Sequence, residues 1–437
     1  MAKQNSAAHH KRLLSAQDYK TLSLSAFGGA LEFYDFIIFV FFSKVIGSLF
    51  FPADMPIWLS QLQTFGIFAA GYLARPFGGV VMAHFGDLLG RKRMFTLSIL
   101  LMAIPTLLIG CLPTYAAVGY FAPVFLLILR VCQGLAVGGE IPGAWTFVAE
   151  HVPKDKVGLA CGTLTSGLTL GIFLGSLVSI IMQSNFNAEE IHTWAWRIPF
   201  IVGGIFGFIS MYLRQWLKET PIFLEMQKRG EKDVAKKLPI WNVLSNYLPQ
   251  TIISILLTWV LSAGIMVIIV TAHVYLQGQF GFSEIDVSIS RLLATAGLSL
   301  GCVFYGYLAD KISIGKLIAL GCLVGVVTTI AFFVSLSSGI EMLYITYPLV
   351  GFSIGIVGAF PYYMVRAFPA NVRFSGVAFS FNISYAITGA LTSFLIPILA
   401  NFFNKYAAGF YVIAVFLVGT VLGWYIIRKE KELAEDI

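Results

Sequence analysis

Twelve long runs of mostly apolar residues dominate this sequence of 437 residues. A helix needs about 20 apolar residues to cross the hydrocarbon core of a bilayer, and each run has that length between charges, prolines and glycines. The runs cover residues 22–50, 58–84, 94–113, 119–149, 157–183, 197–217, 248–277, 287–309, 315–337, 341–366, 375–400 and 406–428. Lipid offers the backbone no hydrogen-bond partners, so the runs predict helices. The predicted fold class is an all-α integral membrane protein with twelve transmembrane helices.

Composition excludes several other classes of protein. Hydrophobic residues make up 58% of the chain and charged residues only 12%, against about 25% charged in a soluble domain. The net charge of +7 is spread over short loops, whereas nucleic-acid binding requires one basic face. The five cysteines lie singly, without the spacing of a disulfide framework or a metal site. We therefore expect no cofactor, no metal and no nucleic acid, and we expect the lipid bilayer and a small-molecule substrate as partners.

Lysine and arginine predict the orientation, because cytoplasmic loops carry an excess of both. They concentrate in the N-terminal tail, the 85–93 turn, the 214–239 stretch and the C-terminal tail, while the opposite side has little beyond Lys44 and Lys405. Both termini are thus predicted to be cytoplasmic. The mixed-charge stretch 218–247 is typical of an amphipathic linker on the membrane surface. It divides the chain into two six-helix bundles, residues 1–217 and 248–437.

Carboxylates deep in these runs are the first candidates for function, since buried charge in lipid is costly. Glu32 and Asp35 lie about 15–20 Å from the cytoplasmic end, and their spacing of three residues puts them on one face. Two such carboxylates resist joint ionisation, as a proton carrier requires. Glu140 falls at a similar depth and is a third candidate for proton coupling. For Glu32 and Asp35 the structural alternative is that one of the two only pairs with a buried arginine.

Two arginines are the deep cations. Arg130 and Glu140 are ten residues apart in one run, which is about 15 Å along a helix, so they do not face each other. Arg75 precedes Pro76 in the second run. We predict that Arg75 and Arg130 bind an anionic substrate, and the alternative for Arg75 is a counter-ion to one of the deep carboxylates.

The polar groups in the runs of the second half are mostly neutral or aromatic. Tyr275, Asn382 and Tyr385 lie within its runs, and we predict that they contact the substrate, although aromatic residues also simply fill cores. His273 falls near the outer end of the seventh run and is interpreted as interfacial. Arg366 ends the tenth run and is interpreted as a topology anchor.

The segment GDLLGRKR, from Gly86 to Arg93, is the most motif-like loop in the chain. Gly86 and Gly90 allow a sharp reversal, and the Asp87 carboxylate can accept from a helix N-terminus or an arginine. Arg91 and Lys92 anchor the cytoplasmic surface. We predict that this turn forms a cytoplasmic gate.

Together these residues resemble the major facilitator superfamily, and in detail its metabolite:proton symporter group. Besides GDLLGRKR and LRVCQGLAVGGE, the matching segments are GALEFYDF from Gly29, RPFGG from Arg75, WAWRIPF from Trp194, ETPIF from Glu219 and FPANVRFSG from Phe368. The resemblance implies two six-helix bundles with a midplane cavity that opens alternately to either side. It also implies proton-driven import across a bacterial inner membrane, in a group that includes carriers of 2-oxoglutarate, citrate, shikimate, and proline or betaine.

The sequence also departs from the pattern of that group. Its second half retains Asp310 in GYLADKISIGK but not the glycine and arginine that follow, and Arg366 stands where such carriers often have an acid. The resulting hypothesis is a monomeric proton symporter for a small organic anion or zwitterion, with the proton as coupling ion. The alternatives are an exporter or antiporter on the same fold, and a non-transporting membrane receptor.

Overall fold

Twelve long helices make up most of the described part of the protein. The computed structural model describes residues 13–228, 239–402 and 404–435, and this part of the chain contains no β-strand. The helices are α1 Ala16–Phe41, α2 Ile57–Leu89, α3 Arg91–Cys111, α4 Phe121–His151, α5 Val157–Asn185, α6 Arg197–Arg214, α7 Leu248–Ile265, α8 Glu284–Ala309, α9 Ile314–Ser335, α10 Ile340–Ile354, α11 Arg373–Phe402 and α12 Ala407–Glu435. Among the described residues eleven of these helices meet the length and hydropathy needed to cross a membrane, with α7 and α10 counted together with the turns that continue them, and α11 is the exception. The predicted helix number and fold class are confirmed.

Three predicted spans are not single α-helices. The first breaks at Phe42, after which a short helix, Ser43–Phe50, follows. The seventh passes through a π-helical turn, Met266–Val270, and the tenth through a 3-10 turn, Gly355–Ala359. Hydropathy measures only the length of an apolar run, so it cannot show these interruptions. Turns of this kind within a helix often mark hinges.

Glycines let the helices of the first bundle approach closely. A Cβ on Gly134 of α4 would lie 2.0 Å from the Gly71 carbonyl oxygen of α2, and a Cβ on Gly138 would lie 2.1 Å from the Arg75 carbonyl oxygen. Backbone contact this close requires small residues at the interface. The glycines of α4 therefore pack against α2 and leave no room for a side chain.

The two bundles meet along two pairs of helices, α5 with α8 and α2 with α11. In the first pair, a Cβ on Gly162 would lie 2.5 Å from the carbonyl oxygen of Cys302. In the second, a Cβ on Gly79 would lie 2.4 Å from the amide nitrogen of Asn382. Small residues thus bring both bundles into direct contact.

Successive helices run in opposite directions, so α1 begins and α12 ends on the same side of the molecule. We call this side the terminal face and the other side the far face. Short helices Pro221–Lys228 and Pro239–Asn246 follow α6 and precede α7. The predicted linker 218–247 includes residues 229–238, which lie outside the described residues, and its boundaries stay a prediction.

Replacing Gly134 by alanine should destabilise the protein, because the added methyl group meets backbone atoms of α2 that cannot move aside. Overpacking of this kind costs about 1–3 kcal/mol. Gly66→Ala is the matched control, since a Cβ on this α2 residue meets nothing within 4 Å. The thermal unfolding midpoint in detergent measures both variants. Equal midpoints for the two would contradict the close contact.

Candidate functional site

A buried arginine of α2 is surrounded by side chains of both bundles. Arg75 is 1% exposed, and its guanidinium carbon lies 4.4 Å from the ring centre of Tyr385, 5.3 Å from that of Phe381 and 5.5 Å from that of Tyr72. Its Nε donates to the Asn382 Oδ1 at 3.4 Å. Cations bind aromatic faces at such distances. Arg75 of the first bundle is therefore contacted largely by side chains of α11 in the second bundle.

The amide of Asn382 also ties α11 to the first bundle. Its Nδ2 donates to the Gly138 carbonyl oxygen of α4 at 2.6 Å and to the Ala378 carbonyl oxygen at 2.8 Å. The Nη2 of Arg75 is buried and donates to no residue within the described part of the chain. One strong donor of this guanidinium is therefore available to a ligand.

The structure brings together three of the residues that the sequence proposed for substrate contact, Arg75, Asn382 and Tyr385. Sequence analysis missed Tyr72, whose ring stacks on Tyr385 with centroids 5.6 Å apart. Its spacing of three residues from Arg75, which puts both on one helix face, could have indicated it. Tyr275 does not join them: its hydroxyl donates to Val267 and its ring contacts α9.

Arg130 begins a polar network inside the first bundle. Its Nη1 donates to the Gln133 Oε1 at 2.8 Å, and the Gln133 Nε2 donates to the Thr106 Oγ1 at 2.6 Å. The guanidinium carbon lies 4.3 Å from the ring centre of Phe39 and 5.2 Å from that of Phe68. Gln133 and Thr106 are neutral, and sequence analysis did not distinguish them from the other polar residues of the predicted helices.

Asp35 lies next to this network. It is 1% exposed, and a Cβ on Gly203 of α6 would lie 2.4 Å from its Oδ1 and 3.0 Å from the Thr106 Cγ2. Neither carboxylate oxygen accepts a hydrogen bond of normal geometry from a described residue, and the Thr106 side chain is the polar group that interacts with it. The side chain of Glu32 lies outside the described residues, so its pairing with Asp35 stays a prediction.

Glu140 has a cationic partner that the sequence did not indicate. Its Oε1 accepts from the Arg214 Nη2 at 3.2 Å, and both side chains are buried. Arg214 ends α6 and looked like a surface residue in the sequence. The alternative in which Arg75 serves as the counter-ion of Glu140 is therefore wrong.

Asp310 joins the bundles at the terminal face. Its carboxylate accepts from the backbone N–H groups of Gly158, at 2.7 Å, and Leu159, at 2.8 Å, in the first turn of α5. A helix N-terminus stabilises negative charge. Burial raises the pKa of the Asp310 carboxyl, and these two N–H groups oppose that shift. The retained aspartate thus closes the contact between α5 and α8.

An ion pair joins the bundles at the same face. The Arg373 Nη1 of α11 donates to the Glu150 Oε1 of α4 at 2.9 Å, and the Thr220 hydroxyl donates to the other oxygen at 2.9 Å. The Glu150 side chain is fully buried, whereas that of Arg373 is 19% exposed. Sequence analysis did not name Glu150.

The GDLLGRKR segment differs in part from its prediction. Gly90 makes the reversal, with φ +111°, but Gly86 lies inside α2, where a Cβ would come within 2.5 Å of the Phe374 ring of α11. Gly86 therefore permits a close contact between bundles and makes no turn. The backbone N–H of Lys92 donates to the Glu219 carboxylate at 3.2 Å. The side chains of Asp87 and Arg91 lie outside the described residues.

Comparisons with known proteins agree with this architecture. A sequence profile of the Major Facilitator Superfamily matches residues 25–387. The proline/betaine transporter of Escherichia coli is 28% identical over 92% of this chain and 82% of its own. The shikimate transporter of Escherichia coli is 29% identical over 96% of this chain and 97% of its own. The solved structure of the proton:xylose symporter XylE bound to 6-bromo-6-deoxy-D-glucose covers 94% of this chain and 96% of that one, with 14% identity and a TM-score of 0.78.

Glu150→Gln should open the terminal face, because losing one partner of a buried ion pair costs about 3–5 kcal/mol. The reporter is Ala83→Cys, since Ala83 is buried beside Phe374. We expect its alkylation by N-ethylmaleimide to accelerate about tenfold or more, which corresponds to about 1.4 kcal/mol. Asp155→Asn is the control, because it removes only a surface ion pair. Unchanged alkylation in the Glu150 variant would contradict the role of the pair in closure.

Proposed function

The chain belongs to the major facilitator superfamily, and on this basis we propose that it is a proton-coupled symporter that takes up a small organic anion or zwitterion. It is an integral membrane transporter and not an enzyme. Its relatives include transporters named for proline/betaine and for shikimate. Proline, betaine and shikimate all carry a carboxylate group, which gives the proposal its substrate class.

The proposal depends mainly on the residues that surround Arg75. This guanidinium lies near the middle of α2, between the bundles, with a buried donor that no described residue uses. A carboxylate pairs with guanidinium through strong charge-assisted hydrogen bonds. The rings of Tyr72, Phe381 and Tyr385 also offer aromatic faces, which attract the cationic end of a zwitterion. Both substrate types fit this chemistry.

Asp35 is the proposed proton carrier. A carboxylate enclosed by helices and without a hydrogen bond of normal geometry from a described residue gains stability by binding a proton. Thr106 and Gln133 connect its surroundings to Arg130. The ring of Phe68 then lies between Arg130 and Tyr72, 4.9 Å from the Tyr72 ring centre. We propose that protonation reaches the Arg75 site through these contacts.

We propose that transport proceeds by alternating access, and the contacts between the bundles support this. Asp310 and the Glu150–Arg373 pair join them at the terminal face. These contacts involve charges at helix ends, so they can separate into water when the carrier opens to that side. We propose that Glu140, paired with Arg214, stabilises the first bundle and does not itself carry the proton.

Orientation and assembly are also proposals. The excess of lysine and arginine at the terminal face favours a cytoplasmic location for both termini. We propose that the protein is a monomer in a bacterial inner membrane and uses no cofactor besides the coupling proton. A periplasm-active reporter enzyme fused after Lys237 should therefore be silent.

Uptake into proteoliposomes tests the proposed function. Labelled proline, glycine betaine and shikimate are supplied outside under an imposed pH gradient, acidic outside. We expect accumulation of at least one of them above its outside concentration, and a protonophore should abolish it. Uptake driven by the opposite gradient would indicate an antiporter or exporter. The absence of both accumulation and exchange of all three would contradict the proposal.

Asp35→Asn should uncouple transport from the proton, because the amide cannot carry one. We expect the pH gradient to drive no accumulation, while exchange of labelled against unlabelled substrate continues. Glu341→Gln is the matched control, since this carboxylate lies exposed at the start of α10. If Asp35→Asn still concentrates substrate as well as the wild type does, the proton is carried elsewhere.

Arg75→Gln should weaken substrate binding, because glutamine removes the charge while keeping a polar side chain. A hydrogen bond to a charged group contributes about 1.5–3 kcal/mol, so KM for uptake should rise about 10- to 150-fold. Arg75→Lys keeps the charge but not the planar guanidinium, and should have an intermediate KM. An unchanged KM in the glutamine variant would exclude Arg75 as the carboxylate ligand.

A further inference from the structure

A second buried arginine lies between the bundles, toward the far face. Arg291 of α8 is 4% exposed, and its guanidinium carbon lies 3.9 Å from the ring centre of Phe41 in α1. Its Nε is buried without a hydrogen-bond partner, and no ion pair joins it to a residue within the described ranges. An arginine side chain has five N–H donors, so this contact with a ring leaves its hydrogen-bonding capacity unused.

The guanidinium lines a small cavity of about 30 Å³ to which both bundles contribute. This is enough space to hold a water molecule. Its polar walls come from the short helix after α1, from the ends of α5 and α8 and from the segment after α7. The lining includes Lys44, Gln183, His273, Glu284, Ser288 and Arg291.

Positive charge dominates this cavity. Lys44 and Arg291 are cations, and Glu284 is the one carboxylate among the lining residues. Lys44 and Glu284 are both exposed, and Glu284 accepts from the Gln183 amide at 3.3 Å, so the buried charge of the cavity is that of Arg291. His273 turns its Nδ1 toward the Val270 carbonyl oxygen, 3.2 Å away. A buried cation without a hydrogen-bonded counter-ion is costly, and a ring face compensates only part of that cost. The cavity therefore suits an anion.

We propose that Arg291 is an outer binding site for the carboxylate group of the substrate, occupied before the substrate reaches Arg75. The site assembles when α1 and α8 separate at the far face, because Phe41 then leaves the guanidinium and its donors face the opening. When the bundles close again, Phe41 covers Arg291 and the carboxylate passes inward. This inference rests on the proposed function, since it assigns a step of the same transport.

A thiol at Ser288 reports on the charge of the cavity without requiring transport. Ser288 lines the cavity together with Arg291 and is 3% exposed. Ser288→Cys is made in a background without the five native cysteines, and intact cells are treated with impermeant methanethiosulfonate reagents. One reagent carries an anionic sulfonate and the other a cationic trimethylammonium group. After correction for their rates with a free thiol, we expect the anionic reagent to react about tenfold faster or more.

Arg291→Gln should abolish that preference for the anionic reagent, while Arg291→Lys should keep most of it. Arg366→Gln is the matched control, because it removes an exposed arginine at the terminal face and should leave the preference intact. Two results would overturn the proposal: a preference that survives in Arg291→Gln, and a thiol that neither reagent modifies.

Transport gives a second, independent readout. In the variant Arg291→Gln we expect KM for shikimate uptake from the far face to rise about tenfold, with KM for efflux from the terminal face unchanged. An equal rise in both directions would place Arg291 in the central site or the fold and overturn the proposal. If no probe is taken up but the reagent preference depends on Arg291, the proposed uptake fails and the anion site stands.

Discussion

A guanidinium in a membrane protein must replace the water that it loses, and four buried arginines of this chain do so in different ways. Arg214 pairs with a carboxylate, and Arg130 donates to a neutral amide. Arg75 and Arg291 instead lie against aromatic rings of the opposite bundle. The first two therefore stabilise the interior of one bundle. The last two depend on how the bundles are arranged, so their surroundings change when the bundles move.

The arginines that stabilise a bundle are therefore not the ones that remain available to a substrate carboxylate. The Glu140–Arg214 pair lies within the first bundle and persists in any rigid-body movement of the two bundles. A cation held by a ring keeps unused donors, so a carboxylate can bind without first displacing another anion. A fully paired arginine could bind substrate only by losing its partner, which is costly in a medium of low dielectric constant.

The contacts at the terminal face follow a different physical rule. Asp310 accepts from a helix N-terminus and Glu150 from Arg373, and all these groups lie at the ends of helices. Separation exposes them to water, which then solvates the charges. Close packing also stabilises the closed contact, because Gly86 of α2 leaves space for the ring of Phe374 in α11. Opening of this face, which the proposed alternating access requires, would therefore leave no bare charge in lipid.

The helical architecture was predictable because lipid imposes it on every span separately. Length and hydropathy alone identify a crossing helix, so the number of helices and the fold class agreed with the sequence. The breaks at Phe42 and at Gly355–Ala359 were not predictable. They depend on how neighbouring helices fit, and apolar length carries no information about that fit.

The sequence by itself determined how deep a charge within an apolar run lies, since depth follows from position along a helix. It identified Asp35, Glu140, Arg75 and Arg130 on that ground. Only the tertiary structure decided which residues of other helices they meet, because such a partner lies at a distance in the chain that spacing does not encode. Arg214 was found in this way, whereas Gln133 and Tyr72 lie three residues from Arg130 and Arg75 on the same helices. Depth is a property of one helix, whereas pairing is a property of how twelve helices pack.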